Sequence, residues 1–424
     1  MQSVMCNNRP EEIEKQRITI GMKCLDIIIL WYYFFSPSMV LRPFPSIMWV
    51  IIAISGLIVF RCRWIHLETY FILSMFAVFA LFITSLLSVD MGASLKYTLS
   101  IFLYMLIAYE VCSNYDNILF FVKMAVPFVL IHFLATTIQI VNIDIYRTIF
   151  LPLLPNEFHY RILAFASRFA YTGFTNQTST NADFLSLGIG IFVFRTIAYP
   201  RAKKVISITL ILGLVALVAM TERRWSTIVV LVLLLIAILT QVSNKALKSV
   251  IILLIIVLSF TGVFSSLSVF QGVLGKMQFE ILSGDVTNGR NTIWRDTWAF
   301  ISQKPFWGYG ADSFRVLMPS EANAHNSFLQ TILEMGFLGA VVFYAPFVYA
   351  LFKSLNHLKD GQLLTIDARD KAIVFFSIYW QSYSFLDSIF ESYFNAELSV
   401  FMLFVAQFMM LRILEKNSYQ DTSE

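Results

Sequence analysis

Apolar residues fall in long continuous runs along the chain, and these runs mark segments near 24–36 (beginning as early as Ile18), 46–60, 68–88, 95–112, 118–141, 183–199, 204–220, 225–240, 249–265, 331–352, 372–390 and 396–412. A membrane-crossing helix needs about 20 apolar residues, so the pattern predicts an all-α integral membrane protein of about 12 transmembrane helices. A transmembrane β-barrel would alternate apolar and polar positions strand by strand. The chain reads as a single polytopic membrane domain over 1–424, without internal repeats, carrying two external elaborations at 142–182 and 266–330. Pro152, Pro155 and Gly173 in the first argue against one continuous helix. The second lies in the polar stretch Ser265 to Leu329, where a protein that only had to span would need a few residues, and long loops of this kind carry function. Within it, Asn291 to Ser302 predicts an amphipathic helix with Ile293, Trp294, Thr297, Trp298 and Ile301 on one face. A Trp-rich face of this sort belongs at the membrane interface.

Composition supports the reading, since 14% of residues are charged against about 25% in a soluble domain. Lys and Arg cluster at alternate span ends: Lys15, Arg17 and Lys23; Arg61 and Arg63; Arg195, Arg201, Lys203 and Lys204; Lys245 and Lys248; Lys353, Lys359, Arg369 and Lys371. Cytoplasmic loops retain such charge. This puts both termini in the cytoplasm and both elaborations on the opposite face, together with the turn Glu222, Arg223, Arg224. The net charge of +4 reflects that bias and gives no argument for nucleic acid. The N-terminal segment lacks a small-residue cleavage site and reads as an uncleaved first span. Cys6, Cys24, Cys62 and Cys112 all map to the cytoplasmic side, which leaves no disulfide framework on the outer face. Neither CxxC nor a Cys/His cluster occurs, so no metal site and no cofactor are expected.

Three residues stand out as candidates for chemistry. Arg224, in TERRWST, sits at the membrane edge, where a charge is costly and tends to be paired or functional; Arg223 is its weaker neighbour. The bland alternative is an interfacial arginine paired with Glu222. Arg290 follows Gly289 at a helix start, where backbone amides and a guanidinium fork suit an anion. A solvated loop arginine is the competing reading. His325, in AHNSFLQ before a span, can take a proton from a hydroxyl while Asn326 fixes its tautomer or holds a sugar hydroxyl, although a lone histidine there is more often a cap. Asp387, Glu391 and Glu397, with Asp312, form a weaker group able to orient His325 or bind sugar, or simply a solvated turn. His132, in the fifth span, reads as a buried hydrogen-bonding residue. GYGAD follows no strand and is not a dinucleotide fingerprint.

GRNTIWRDTWAFISQKPFWGYGADSFR followed by AHNSFLQTILEMGFLG resembles the signature segment of the bacterial O-antigen ligase and O-antigen polymerase family. TERRWST is similar to the family's Thr-x-x-Arg element, which places the family arginine on Arg224. GFTNQTSTNADFL is similar to its upstream Gly-Phe-x-Asn element. The resemblance covers roughly Arg161 to Gly339.

It implies a metal-independent, inverting membrane glycosyltransferase of the GT-C type, working on the periplasmic side of the bacterial inner membrane. The donor would be a glycan on undecaprenyl diphosphate, and the acceptor a hydroxyl of another glycan or of lipid A core, with a chain-length regulator as a further partner. On this resemblance Arg224, Arg290 and His325 are the catalytic residues, and Arg223, Arg168, Asn176, Trp294 and Asn326 bind substrate. The 35-residue step from Arg290 to His325 tilts the reading from ligase to polymerase. O-antigen, capsule and exopolysaccharide all stay open as products. An oligosaccharyltransferase modifying protein hydroxyls would share the donor site. A transporter or flippase for lipid-linked oligosaccharide is the alternative of another class, but it would place charges along a central cavity and show a two-fold repeat.

Overall fold

The computed structural model describes residues 9–35, 69–113, 115–199, 201–241, 275, 278, 282, 289–319, 323–359, 367–391 and 397–421. Among these residues all regular structure is helical. In chain order the helices are α1 (Arg9–Phe35), α2 (Thr69–Leu86), α3 (Met91–Val111), α4 (Tyr115–Val141), α5 (Ile143–Ile149), α6 (Asn156–Ala166), α7 (Thr178–Ala198), α8 (Arg201–Met220), α9 (Arg224–Gln241), α10 (Arg290–Gln303), α11 (Phe314–Leu317), α12 (Ser327–Lys359), α13 (Ala368–Asp387) and α14 (Glu397–Asp421). The predicted spans at 46–60 and 249–265 lie outside the described residues, and the others fall on helices. α2, α3, α4, α7 and the Ser327–Asn356 part of α12 are long and apolar enough to cross a membrane, and the runs Lys204–Met220, Arg224–Leu239 and Ser399–Leu414 are shorter apolar helices. The chain is therefore a helical membrane protein.

α7 is the hub of the bundle. It packs against α8, α13, α4 and α9, and 72% of its span is buried, against 44% for α2, α3 and α4. Small residues permit this: a Cβ on Gly188 would come within 2.4 Å of Val129, and one on Gly190 within 2.9 Å of Tyr379. Between bilayer-embedded helices, packing of this closeness supplies the attraction that water supplies elsewhere. His132 is fully buried against α1, with Nε2 3.0 Å from the Phe34 carbonyl. It fits the predicted structural role.

The first elaboration is broken where its prolines and glycine predict. Asn142 caps α5 by accepting the amides of Asp144 and Ile145, a 3₁₀ turn carries Pro152, and α6 begins just after Pro155. In the second, α10 covers the predicted amphipathic stretch with Gly289 in a left-handed conformation before it. Its inner face buries Thr297 and Ile301, while Trp298 remains half exposed.

α12 holds a feature the apolar pattern did not predict. It is broken at Gly336, whose φ of 68° is non-helical. A break strands carbonyls and amides that hydrocarbon cannot satisfy. The 305–310 turn meets them: Tyr309 N–H donates to the Leu333 carbonyl at 3.1 Å, Gly310 N–H to Glu334 at 2.7 Å, and Phe337 N–H donates to Pro305 at 2.8 Å. A Cβ on Gly308 would lie 2.5 Å from the Glu334 carbonyl oxygen. The GYG motif is thus a backbone plug for a broken helix.

Candidate functional site

Four chain segments meet at one end of the bundle: the α8–α9 turn, the start of α10, the residues just before α12, and the turn after α13. The first carries Arg223, held by a turn in which Glu222 has a φ of 56°. The second places Arg290 as the first residue of α10. The third carries His325, itself at a φ of 49°. Glu391 comes from the fourth and gathers the others.

Its Oε1 accepts from Arg223 Nη1 at 2.8 Å and from Arg290 Nη2 at 3.2 Å. Its Oε2 lies 3.6 Å from His325 Nδ1, an ion-pair distance too long for a hydrogen bond. Arg223 is further fixed by donating Nε to Thr178 Oγ1 at 3.0 Å, and Arg290 by donating to the Phe390 carbonyl. Burial alone would push the Glu391 carboxyl up, but Arg223, the His325 ring and Arg290 outweigh it and hold it at about 2. The carboxylate is therefore charged at any ordinary pH, with two guanidinium groups sharing one of its oxygens.

A cavity of about 550 Å³ opens beside this cluster, lined by Arg168, Arg223, Arg224 and Arg290 with Thr178, Trp225 and Glu391 among others. Four arginines against Glu222 and Glu391 leave the lining cationic. Arg224 lines the same cavity as Arg223 and Arg290, and burial, followed by the like charges of Arg290 and Arg223, pulls its guanidinium below the usual arginine range. Trp225 stacks flat on Phe390, with ring centroids 3.6 Å apart, and ties the arginine turn to the Glu391 turn.

Of the residues singled out from the sequence, Arg168, Arg223, Arg224 and Arg290 line this cavity; His325 is not part of the lining and is tied to it by its approach to Glu391. Arg223, expected only as a substrate ligand, makes the direct contact with Glu391. Asn326 caps α12, its side-chain oxygen accepting the Leu329 amide at 2.8 Å. Trp294 uses its indole N–H on the Ala324 carbonyl at 2.9 Å. Asn176 lies in the turn before α7, outside the cavity lining. Asp387 accepts from Ser226 at 2.9 Å and Asp312 pairs with Arg315 at 2.7 Å, so neither orients His325; the Glu397 side chain lies outside the described residues. Glu391, Thr178, Trp225 and Phe390 had no distinguishing sequence signal beyond the acidic group to which Glu391 belongs. Among the described residues no group of three or more His, Cys, Asp or Glu side chains is placed to hold a metal ion.

A search of curated proteins finds no match to the chain. Residues 208–344 match the family model described as O-antigen ligase. That stretch contains Arg223, Arg224, Arg290 and His325, so the segment that builds most of the cluster belongs to the O-antigen ligase and polymerase family.

Proposed function

We propose that the protein is an inner-membrane glycosyltransferase that moves a glycan from undecaprenyl diphosphate to an acceptor hydroxyl on the periplasmic side, and that it polymerises repeat units of a surface polysaccharide. The observation that carries this reading is the convergence of Arg223, Arg290 and His325 on the two oxygens of Glu391 at the wall of a cationic cavity. The family match to residues 208–344 supports the reaction class.

The chemistry follows from the positions. Arg290, Arg223 and Arg224 offer planar forks to the diphosphate and stabilise the negative charge that grows on it as the bond to the sugar breaks. Glu391 holds two of those forks in place before the donor arrives, so less ordering is needed at the moment of reaction. With an N–H on Nδ1 turned towards Glu391, His325 keeps Nε2 for the proton of the acceptor hydroxyl. The acceptor oxygen bonds to the anomeric carbon, the proton goes to Nε2, and the electron pair of the broken bond leaves with the diphosphate. Attack from the face opposite the leaving group inverts that carbon. No step requires a divalent ion.

The ligase reading stays beside this one because the matching family model carries that description. A lipopolysaccharide gel separates the two. In a deletion strain, single repeat units on lipid A indicate a lost polymerase, whereas lipid-linked polymer with bare core indicates a lost ligase. Unchanged polysaccharide on that gel, or wild-type transfer by Arg223→Ala and Arg290→Ala at normal expression, would refute the assignment.

A further inference from the structure

α10 carries Arg290 as its first residue and Trp294 one turn later, and residues four apart on a helix share a face. Arg290 belongs to the anion cluster. Trp294 reaches the other way, donating its indole N–H to the carbonyl of Ala324 at 2.9 Å. That carbonyl is one end of the peptide plane joining Ala324 to His325. The N–H at the other end of the same plane donates to Asn323 Oδ1 at 3.1 Å.

Ala324 is fully buried, and its own N–H donates to Gln330 Oε1 at 3.1 Å, whose amide in turn donates to Glu334 at 2.9 Å. Beyond His325, Ser327 N–H reaches the Ser388 carbonyl at 2.9 Å, and Ser327 Oγ donates to the Glu391 carbonyl at 2.9 Å. His325 stands between these two anchors with a φ of 49°. A non-glycine residue holds a left-handed conformation only where its surroundings impose it. The point from which the ring projects is therefore set by the peptide plane before it.

We infer that Trp294 is a positioning residue for His325, acting through the Ala324 carbonyl, so that one turn of α10 sets the distance between the diphosphate clamp and the proton-accepting imidazole. This rests on the reading of His325 as the group that takes the acceptor proton. It also explains why a tryptophan occupies a position whose indole N–H contributes nothing to the cavity itself: phenylalanine would keep an aromatic ring there but leave the carbonyl unheld.

Trp294→Phe keeps the ring and removes the donor. The full-length protein in detergent would be assayed with undecaprenyl-diphosphate-linked repeat units extracted from cells deleted for this chain. Misplacement of a reacting group by about an ångström costs on the order of a hundredfold, so the expected loss in kcat is roughly ten- to a hundredfold. KM for the lipid-linked unit and the binding of undecaprenyl diphosphate are expected to stay at wild-type values, because the arginine cluster is untouched, while the lost hydrogen bond lowers the thermal midpoint modestly. In a His325→Ala background the same change is expected to cost nothing further, since residues acting as a unit are not additive. Wild-type kcat in Trp294→Phe would overturn the inference. So would an equal loss in both backgrounds, which would mark Trp294 as a packing residue. Full activity of His325→Ala alone would instead refute the role of the histidine on which the inference rests.

Discussion

Replacing Glu391 with Gln tests the electrostatic core of the site most directly. The substitution keeps shape and hydrogen-bonding capacity but removes the charge that Arg223 and Arg290 share. The carboxyl is held at about 2, roughly 2.5 units below an ordinary glutamate, and each unit corresponds to about 1.4 kcal/mol between charged and neutral forms. The charge is then worth about 3 kcal/mol to the folded state at neutral pH, in line with the cost of breaking a largely buried pair. The sign follows from the depressed value: the contribution is complete above about 4.5, where the unfolded carboxylate is ionised, and fades as pH falls towards 2. Reversible denaturation in detergent micelles, run on wild type and Glu391→Gln from pH 7 to pH 2.5, reads the difference. Carboxylates remote from Glu391 titrate in both proteins and cancel; Asp387 and Asp183, which feel the Glu391 charge, do not. The Glu391 part of the gap, about 3 kcal/mol at neutral pH, is expected to shrink as pH falls from roughly 4.5 towards 2. A gap that ignores pH, or its absence at pH 7, would refute the claim that one carboxylate organises both arginines.

Arg290→Lys and Arg223→Lys are each expected to recover little of the transfer lost in the alanine variants, because an ammonium lacks the planar fork; recovery to near wild-type rates would show that charge alone suffices. His325→Ala is expected to lose about 10²- to 10⁴-fold in transfer rate, while EDTA leaves the wild type unchanged; magnesium- or manganese-dependent activity would redirect the mechanism to carboxylates. Ser302, exposed on α10, when changed to Cys in a background lacking the native cysteines, is expected to react with a membrane-impermeant thiol reagent in cells with a permeable outer membrane. Protection until the inner membrane is lysed would reverse the orientation.

The parts of this site visible in the sequence are those whose chemistry sits in a local pattern. Arg290 was legible because Gly289 and the amphipathic stretch after it announce a helix start, and His325 because a polar AHNS precedes an apolar run. The sequence pattern favours Arg224 over Arg223, yet adjacent residues share most local properties, and it is Arg223 that the turn at Glu222 brings to Thr178 and Glu391. Glu391 shares an acidic turn with Asp387 in the sequence, yet Asp387 points to Ser226 while Glu391 reaches a partner 101 positions away in the chain. Hydropathy placed α12 correctly but could not see its break, since Gly336 sits in an apolar run and the groups that satisfy the break come from the 305–310 turn. In the sequence Trp294 reads as an interfacial aromatic and, by the resemblance, as a substrate ligand; its indole hydrogen bond is a tertiary contact that no periodicity encodes.

The interruption at Gly336 also calibrates the height of the site in the bilayer. The apolar part of α12 runs for 30 residues from Ser327 to Asn356, which as an unbroken rod is about 45 Å and overshoots a hydrocarbon slab of about 30 Å. Cut at Gly336, the portion from Phe337 to Asn356 measures about 30 Å and matches that slab. The turn bearing Gln330 and Glu334 is then left above the lipid, free of any hydrophobic mismatch. A membrane thicker than that by a few ångströms would load its strain onto this one joint before it reached His325.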